Sequence, residues 1–224
     1  MVDVRRCNGS SNLCQPKFVQ TLKAGTVERI DAERFVAACF KRHYGAGIRH
    51  FMPLLMSLRD RHGMLNAVLG FRYAGQDPLF LENYLDSPVE QILAAKLKQP
   101  VDRSRLVEVG NLAVAEAGGG RWLITALTAY LSATRSEWVL FTVGPILYNA
   151  FTRLGLKPIV LAEARYDCLP PEEQGRWGSY YDQKPMVVAG NIAHGYEVLW
   201  SLCQRESSMR ELWLSAEQAA RRVA

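Results

Sequence analysis

The hydrophobic positions of the chain form short runs with two different periods. Residues 51–59 and 64–73 are strand-like and are joined by the turn residues 60–63, which is typical of a β-hairpin. Residues 106–114 alternate in character, whereas residues 138–143 form a continuous apolar run that is typical of a buried strand. These patterns predict a sheet. Further short strands are predicted at 159–162 and 186–192.

Helical segments separate the predicted strands. Asp31 is predicted to cap a first helix that ends at Gly45, and Ser87 is predicted to cap a second. The glycines at 118–120 precede a third helix, and Gly144 precedes a fourth. The alternation of helices and strands predicts an α/β fold whose central sheet is covered by helices on both faces.

The periodicity also divides the chain into three parts. Residues 1–26 lack a period and are interpreted as a flexible N-terminal arm, residues 27–200 as one domain, and residues 201–224 as a C-terminal amphipathic helix. Two interpretations of this last helix remain open. Its basic and apolar residues suit a membrane surface, but they equally suit a helix that docks on the domain or on another copy.

Composition narrows the class of protein. With 224 residues, 49% of them hydrophobic, the chain can bury one full-sized core, and it has no run of about 18 apolar residues that would cross a membrane. The first residues carry no apolar signal segment, so we expect a cytoplasmic location without stable membrane insertion. The five cysteines and four histidines lack ligand spacing, and no metal site is expected.

The charge balance is mildly basic. Subtracting 22 acidic from 27 basic residues leaves a net charge of +5. This excess is consistent with solubility alone, but also with attraction to an anionic partner such as coenzyme A phosphates or an acidic acyl carrier protein. No helix rich in Lys and Arg is present, so nucleic acid is not an expected partner.

The strand at 106–114 and the glycines after it form the most informative local pattern. Glycines between a strand and a helix allow backbone N–H groups to converge on a phosphate at the positive end of the helix. The alternative is a flexible turn, because neither a dinucleotide fingerprint nor a nucleotide-binding P-loop is present. The candidate cofactor-binding residues are Val109, Leu112, Ala113, Val114, Gly118, Gly119, Gly120 and Arg121.

Residues 118–123 (GGGRWL) resemble the pyrophosphate-binding loop of the GNAT acyltransferase superfamily. The resemblance implies a GNAT-like mixed sheet and an acyl-coenzyme A or acyl-phosphopantetheine donor. Two positions depart from the superfamily pattern. Ala115 replaces the usual Gln or Arg, and Phe151 replaces the Tyr that often acts as general acid, which leaves Tyr148 as a candidate substitute one turn earlier.

A closer resemblance, to the thermostable hemolysin family, extends over about residues 30–200. Five phrases occur in the family's order: HFMP at 50–53, GFRYA at 70–74, LFLENYL at 79–85, EVGNLA at 108–113 and WGSYY at 177–181. This family is similar to the acyl-homoserine-lactone synthases, whose functional Arg and Glu match Arg72 and Glu108. Gly110-Asn111 replaces the synthases' Ser-Arg, which implies a different amine acceptor.

The resemblance implies transfer of a fatty acyl group from an acyl carrier protein or coenzyme A thioester to the amine of a small amino-acid-like acceptor. Glu108 and Glu82 are candidate bases, since burial beside apolar residues raises the proton affinity of a carboxylate. Arg72 is a candidate ligand for a substrate carboxylate, or else the partner of one of these glutamates. The candidate substrate-binding residues are Asn111, further along the strand of Glu108, and the loop aromatics Trp177 and Tyr181, which alternatively fill a core edge.

Two other functions stay open at this point. The family name suggests a membrane-active protein, and the same fold also suits a non-catalytic module that binds acyl thioesters. The sequence leaves the acyl chain length, the acceptor and the oligomeric state undetermined.

Overall fold

A seven-stranded sheet forms the centre of the protein. The computed structural model describes residues 15–116 and 119–222. The strands are β1 (Phe18–Leu22), β2 (Leu54–Arg59), β3 (Leu65–Tyr73), β4 (Leu106–Val114), β5 (Trp138–Val143), β6 (Ile159–Glu163) and β7 (Met186–Asn191). The α-helices are α1 (Val27–Tyr44), α2 (Val89–Leu97), α3 (Gly119–Ser132), α4 (Pro145–Arg153), α5 (Ile192–Cys203) and α6 (Ser207–Arg221).

The strand order is β1-β2-β3-β4-β5-β7-β6, and among the strand pairs of the described residues only β4–β5 is parallel. Successive side chains on β2 point to opposite faces, as a strand requires. Leu55 packs with α1, whereas Met56 belongs to the core formed with α3 and α6. The sheet is therefore mixed and has helices on both faces, which confirms the predicted GNAT-like fold.

The N-terminal part of the described chain differs from its prediction as a loose arm. Residues 18–22 pair with β2 as an edge strand, which the largely exposed pattern of their side chains concealed. The first helix begins at Val27 rather than at Asp31, because the Thr26 hydroxyl accepts a hydrogen bond from Arg29 N at 3.2 Å. Residues 1–14 of the predicted arm lie outside the described residues.

The predicted Ser87 cap is also replaced by a tertiary contact. The N–H of Val89, at the start of α2, donates to the carboxylate of Glu82 at 3.1 Å. Glu82 belongs to a short 3₁₀ turn, Phe80–Tyr84, that precedes α2. A side chain seven residues away therefore satisfies the helix end that a local hydroxyl was expected to satisfy.

The C-terminal region forms two helices, and the predicted bound at residue 200 falls inside the first, α5. The apolar face of α6, which includes the fully buried Trp213, packs against α3 and β1. This packing favours the docking interpretation over the membrane-surface interpretation, because the apolar face is already covered. In the described part of the chain, no helix combines the length and apolarity needed to span a bilayer.

The middle of the sheet contains an irregularity in β4, close to the point where β4 and β5 separate. Val68 pairs with Ala113 and Gly70 with Gly110, so Asn111 and Leu112 together face the single residue Leu69. This is a β-bulge, and Asn111 has a φ of 51° there. Pairing between β4 and β5 ends at Val109 and Phe141, and the two strands separate beyond this point.

Candidate active site

A cavity of about 680 Å³ lies where β4 and β5 separate. It reaches both faces of the sheet, since its walls include members of all three hydrophobic clusters of the core. On the α3 face the wall is largely apolar and contains Ile124, Leu127, Leu131, Leu147, Phe151 and Ile192. On the α1 face it contains Arg72, Phe80, Tyr84, Glu108, Glu173 and the aromatic residues of the segment 177–181.

Glu108 is the buried carboxylate of this cavity, with only 3% of its surface exposed. It projects from β4 on the face opposite to Val107 and Val109, beneath the 3₁₀ turn. Its two oxygens accept hydrogen bonds from Phe80 N at 2.9 Å and from Leu81 N at 2.8 Å. Since a carboxylate has about four lone-pair sites, these bonds leave it further capacity to accept a proton.

The environment of Glu108 raises its pKa above the ordinary value of a glutamate. Burial is the largest cause, because a dry site disfavours the charged form. The positive charge of Arg72 and the two backbone N–H groups lower the pKa, but they do not cancel the effect of burial. A carboxyl group with this balance is suited to exchange a proton with a bound amine.

Arg72 lies in the same wall, and its Nε is 3.3 Å from the Glu108 carboxylate. The guanidinium also donates to the Pro78 carbonyl at 2.9 Å and contacts the Met52 sulfur at 3.1 Å. The structure therefore shows the ion pair that was one of the two sequence interpretations. It also leaves the side chain in contact with the cavity, 23% exposed.

Aromatic side chains form the wall next to Glu108. Tyr84 and Tyr181 share a hydrogen bond between their hydroxyls. The ring centroid of Trp177 lies within 6.3 Å of the ring centroids of Phe40, Phe80 and Tyr181. Burial raises the pKa of Tyr181 to about 12, so the hydroxyl stays protonated at neutral pH. Trp177 and Tyr181 thus line the cavity and at the same time fill the edge of the core.

The segment that carries Trp177 is held against the end of α1 by backbone contacts. Ser179 N donates to the Tyr44 carbonyl at 2.9 Å, and Gly47 N donates to the Arg176 carbonyl at 2.7 Å. Gly178 has a φ of 52°, and a Cβ at this position would collide with the Tyr44 carbonyl oxygen. Only glycine allows this close approach.

Asn111 also lines the cavity, but its side-chain oxygen is already used. It accepts a hydrogen bond from Met52 N at 2.8 Å, which ties the bulge of β4 to the segment before β2. The contact stabilises the positive φ of Asn111. We therefore infer that Asn111 shapes the cavity rather than orienting a substrate through this oxygen.

Glu82 lies outside this cavity, contrary to its predicted role as a base. Its carboxylate faces a shallow second pocket and forms two bonds to Arg103, at 2.6 and 2.8 Å. The hydrogen bond to Arg103 is the largest cause of a pKa below the ordinary value, and the bond from Val89 N also lowers it. A carboxylate held in this way is a weak base, and Glu82 is assigned a structural role.

The predicted general acid Tyr148 is not part of the cavity wall either. It lies on α4 and packs against the core beside α3, whereas its neighbours Leu147 and Phe151 face the cavity. Of the predicted β4 positions, Val109 and Leu112 line the cavity. Ala113 and Val114 lie beyond the bulge, where Ala113 packs with α1.

Gly119 and Gly120 form the start of α3 and are not part of the cavity wall. Gly119 N donates to the Glu116 carbonyl, and open space surrounds the position where a Cβ of Gly120 would lie. Arg121 forms a 3.3 Å ion pair with Glu206 rather than facing the cavity. The predicted ligand Gly118 lies outside the described residues.

Several cavity residues were missed by sequence reasoning. Tyr84 lies within the phrase LFLENYL, so its pattern was visible but its role was not. His50 lies within the phrase HFMP, which also gave no role to it, and Glu173 carried no local signal because it lies in a polar loop. Within residues 15–116 and 119–222, no group of three or more His, Cys, Asp or Glu side chains is arranged to hold a metal ion.

The fold and the parted strands define a class of GNAT-like α/β proteins, and comparison with known proteins agrees with this class. The model of the thermostable hemolysin family matches residues 22–196. The chain therefore belongs to the thermostable hemolysin family. No curated protein matches it in sequence.

Solved structures with a similar fold include three that are named as synthases. The AHL synthase LasI is 12% identical, with a TM-score of 0.57 over 82% of this chain and 94% of that chain. FeeM, an N-acyl amino acid synthase from uncultured soil microbes, is 16% identical, with a TM-score of 0.56 over 80% and 92%. MesI, a CoA-dependent acyl-homoserine lactone synthase, is 12% identical, with a TM-score of 0.52 over 82% and 94%. At these identities the likeness concerns the fold alone.

Proposed function

We propose that this protein is an N-acyltransferase that moves a fatty acyl group from a thioester donor to a small amine. The observation that carries the proposal is the single cavity between β4 and β5, which joins an apolar half on the α3 face to Glu108 on the other face. An acyl chain suits the first half and a polar acceptor suits the second. The names of the similar structures describe reactions of the same class.

The bulge of β4 supplies the proposed contact with the donor. Beyond Val109, the backbone of β4 is no longer paired with β5 and borders the cavity at residues 110–112. Backbone N–H groups in such a position stabilise the oxyanion that forms when a thioester carbonyl is attacked. The start of α3 then lies on the proposed path of the phosphopantetheine arm, which both coenzyme A and an acyl carrier protein carry.

Glu108 is the proposed general base. An amine that enters as an ammonium first loses a proton to the carboxylate, directly or through water, and then attacks the thioester carbonyl. The new C–N bond forms, the C–S bond breaks, and the leaving thiolate takes up a proton to become the free thiol. Arg72 positions the Glu108 carboxylate in this proposal.

Thiol release tests the proposal directly. The protein is incubated with fatty acyl-coenzyme A and acyl carrier protein thioesters, each with a panel of amines and amino acids, and free thiol and N-acyl product are both measured. We expect both to appear in equal amounts, to fall strongly in Glu108→Gln and to persist in the matched control Glu163→Gln, which alters an exposed strand glutamate.

The two rival functions give different results in the same experiment. A non-catalytic binding module would retain acyl thioester tightly and release no thiol with any donor. A directly membrane-active protein would cause anionic vesicles to release dye in the absence of an acyl donor, and deletion of α6 would abolish this release. Thiol without N-acyl product would show a thioesterase and reject the proposed acceptor.

A further inference from the structure

A second buried carboxylate, Glu173, lies in the wall of the same cavity. Only 8% of its surface is exposed, although it belongs to a polar loop and its neighbour Glu172 is exposed. Its side chain accepts one described hydrogen bond, from His50 Nδ1 at 2.5 Å, and the His50 side chain is 72% exposed. Burying a carboxylate with one partner at the cavity rim is costly unless a further positive group joins it.

Aromatic rings line the cavity together with Glu173 and Glu108. Tyr84 and Tyr181 are joined through their hydroxyls, and both line the cavity that Glu108 and Glu173 also line. Aromatic faces favour cations over neutral polar groups.

The described cations near this region are already engaged or face solvent. Arg72 is paired with Glu108 and the Pro78 carbonyl, and the side chains of His43 and Arg49 at the rim belong to exposed residues. The indole Nε1 of Trp177 is buried without a hydrogen-bond partner. The wall therefore offers one more negative site, aromatic faces and a free donor.

We propose that the acceptor amine carries a second positive group, which Glu173 binds while the reacting amine lies at Glu108. The acceptor class is then an α,ω-diamine or a basic amino acid, and the aromatic rings contact the carbon chain between its two charges. The inference names the acceptor of the proposed acyl transfer and rests on that proposed function.

Matched pairs of acceptors test the inference in the wild-type protein. Putrescine is compared with butylamine, and lysine with norleucine, so that each pair differs mainly in the second amine. We expect KM for the dicationic diamine, and for the basic amino acid if that is the true class, to be lower by about 10- to 100-fold. Equal KM values within both pairs would overturn the inference.

The variant Glu173→Gln assigns this preference to the carboxylate. We expect it to raise KM for the preferred member of the pair by about tenfold or more and to leave KM for the neutral-tailed member within about twofold. The matched control is Glu172→Gln, which changes the adjacent exposed glutamate and should alter neither value. An equal change for both members of the pair would show a merely structural role and reject the assignment.

Direct binding separates this inference from the proposed function. If no donor releases thiol, the acyltransferase proposal fails, but calorimetric titration of putrescine against butylamine, and of lysine against norleucine, still decides the inference. Tighter binding of putrescine or of lysine that is lost in Glu173→Gln supports it. Absence of any preference for putrescine and for lysine rejects it, whatever the outcome of the thiol assay.

Discussion

Glu108 and Glu82 lie on opposite sides of the same 3₁₀ turn, and their electrostatic environments are opposite. Glu108 is bound to the N–H groups of Phe80 and Leu81 at the start of the turn, is 3% exposed and has a raised pKa. Glu82 projects from the turn to Arg103 and has a lowered pKa. Both were candidate bases in the sequence, with Glu108 favoured over Glu82.

The comparison teaches that an arginine nearby does not by itself set the pKa of a carboxylate. The number and geometry of the hydrogen bonds between the two groups matter more. Arg72 approaches Glu108 through one nitrogen at 3.3 Å, so burial outweighs the attraction. Arg103 forms bonds to both oxygens of Glu82 and another to Glu90, so attraction outweighs burial. Glu108 therefore accepts a proton readily, whereas the bonds of Glu82 stabilise the fold.

The largest expected effect separates the two carboxylates by activity. Glu108→Gln should lower kcat/KM of thiol release by about 100-fold or more, because loss of a general base typically has this size. Glu82→Gln should change kcat/KM of the folded protein by less than about threefold, since its carboxylate lies outside the cavity. Equal losses would show that the two carboxylates act together and break the comparison.

A substitution that displaces the aromatic wall of the cavity should affect binding beside Glu108 and leave the surroundings of Glu82 unchanged. Gly178→Ala places a Cβ against the Tyr44 carbonyl and should raise the KM of the amine by about tenfold, because Trp177 and Tyr181 lose their position. The control is Gly175→Ala, which also places alanine at a positive φ, here 80°, but where no atom lies within 4 Å of the added Cβ. A similar KM in both variants would show that strain, rather than the close contact, is what matters.

Loss of the bonds between Arg103 and its partners Glu82 and Glu90 should lower the stability of the protein rather than its catalytic rate. Glu82→Gln should lower the free energy of unfolding by about 1.5–3 kcal/mol, since charged hydrogen bonds to Arg103 are lost. Glu90→Gln removes a single described bond and should cost less. Chemical denaturation of the three proteins checks the order, and a larger loss in Glu90→Gln would contradict it.

The pH dependence of stability follows from the lowered pKa of Glu82. The folded state binds a proton at Glu82 less readily than the unfolded state, so the wild-type advantage over Glu82→Gln is present above the unfolded value near 4.5. It should disappear as the pH falls through the lower folded pKa. Denaturation at neutral and acidic pH checks this, and a constant difference would contradict it.

The smallest expected effect is a shift in the pH profile of activity. Because the pKa of Glu108 is raised, the acid limb of kcat/KM should lie above the pH expected for an ordinary glutamate. Protonation on that limb removes the base, so the rate falls as the pH decreases. A limb at or below pH 4.5, the ordinary value for glutamate, would show that Glu108 is not the group that titrates.

The sequence predicted most of the framework because its signals are local. The patterns that predicted β5, β4 and the turn between β2 and β3 each depend on neighbouring residues, and these elements are present in the structure. The burial of β4 does not alternate as expected, because its first four residues are all buried. The edge strand β1 was missed because its side chains are largely exposed and its partner lies more than 30 residues away. Pairing of that kind has no local pattern.

The candidate site was predicted in part. Arg72, Glu108, Trp177 and Tyr181 line one cavity, and their roles in it stay predictions. Tyr148 and Glu82 do not line it, and Glu173 was missed. The phase of α4 turns Leu147 and Phe151 inward instead of Tyr148, and a loop brings Glu173 from a distant part of the chain.

Alone, the sequence determined most of the strands and helices between β2 and α4, the family phrases and the set of residues capable of acid–base chemistry. Tertiary structure decided that the Glu108 carboxylate is buried and faces the cavity and that the Glu82 carboxylate is paired with Arg103. The reason is that a carboxylate's pKa depends on atoms brought together from separate segments, such as Arg72 and Phe80 around Glu108. Chain neighbours alone do not specify that arrangement.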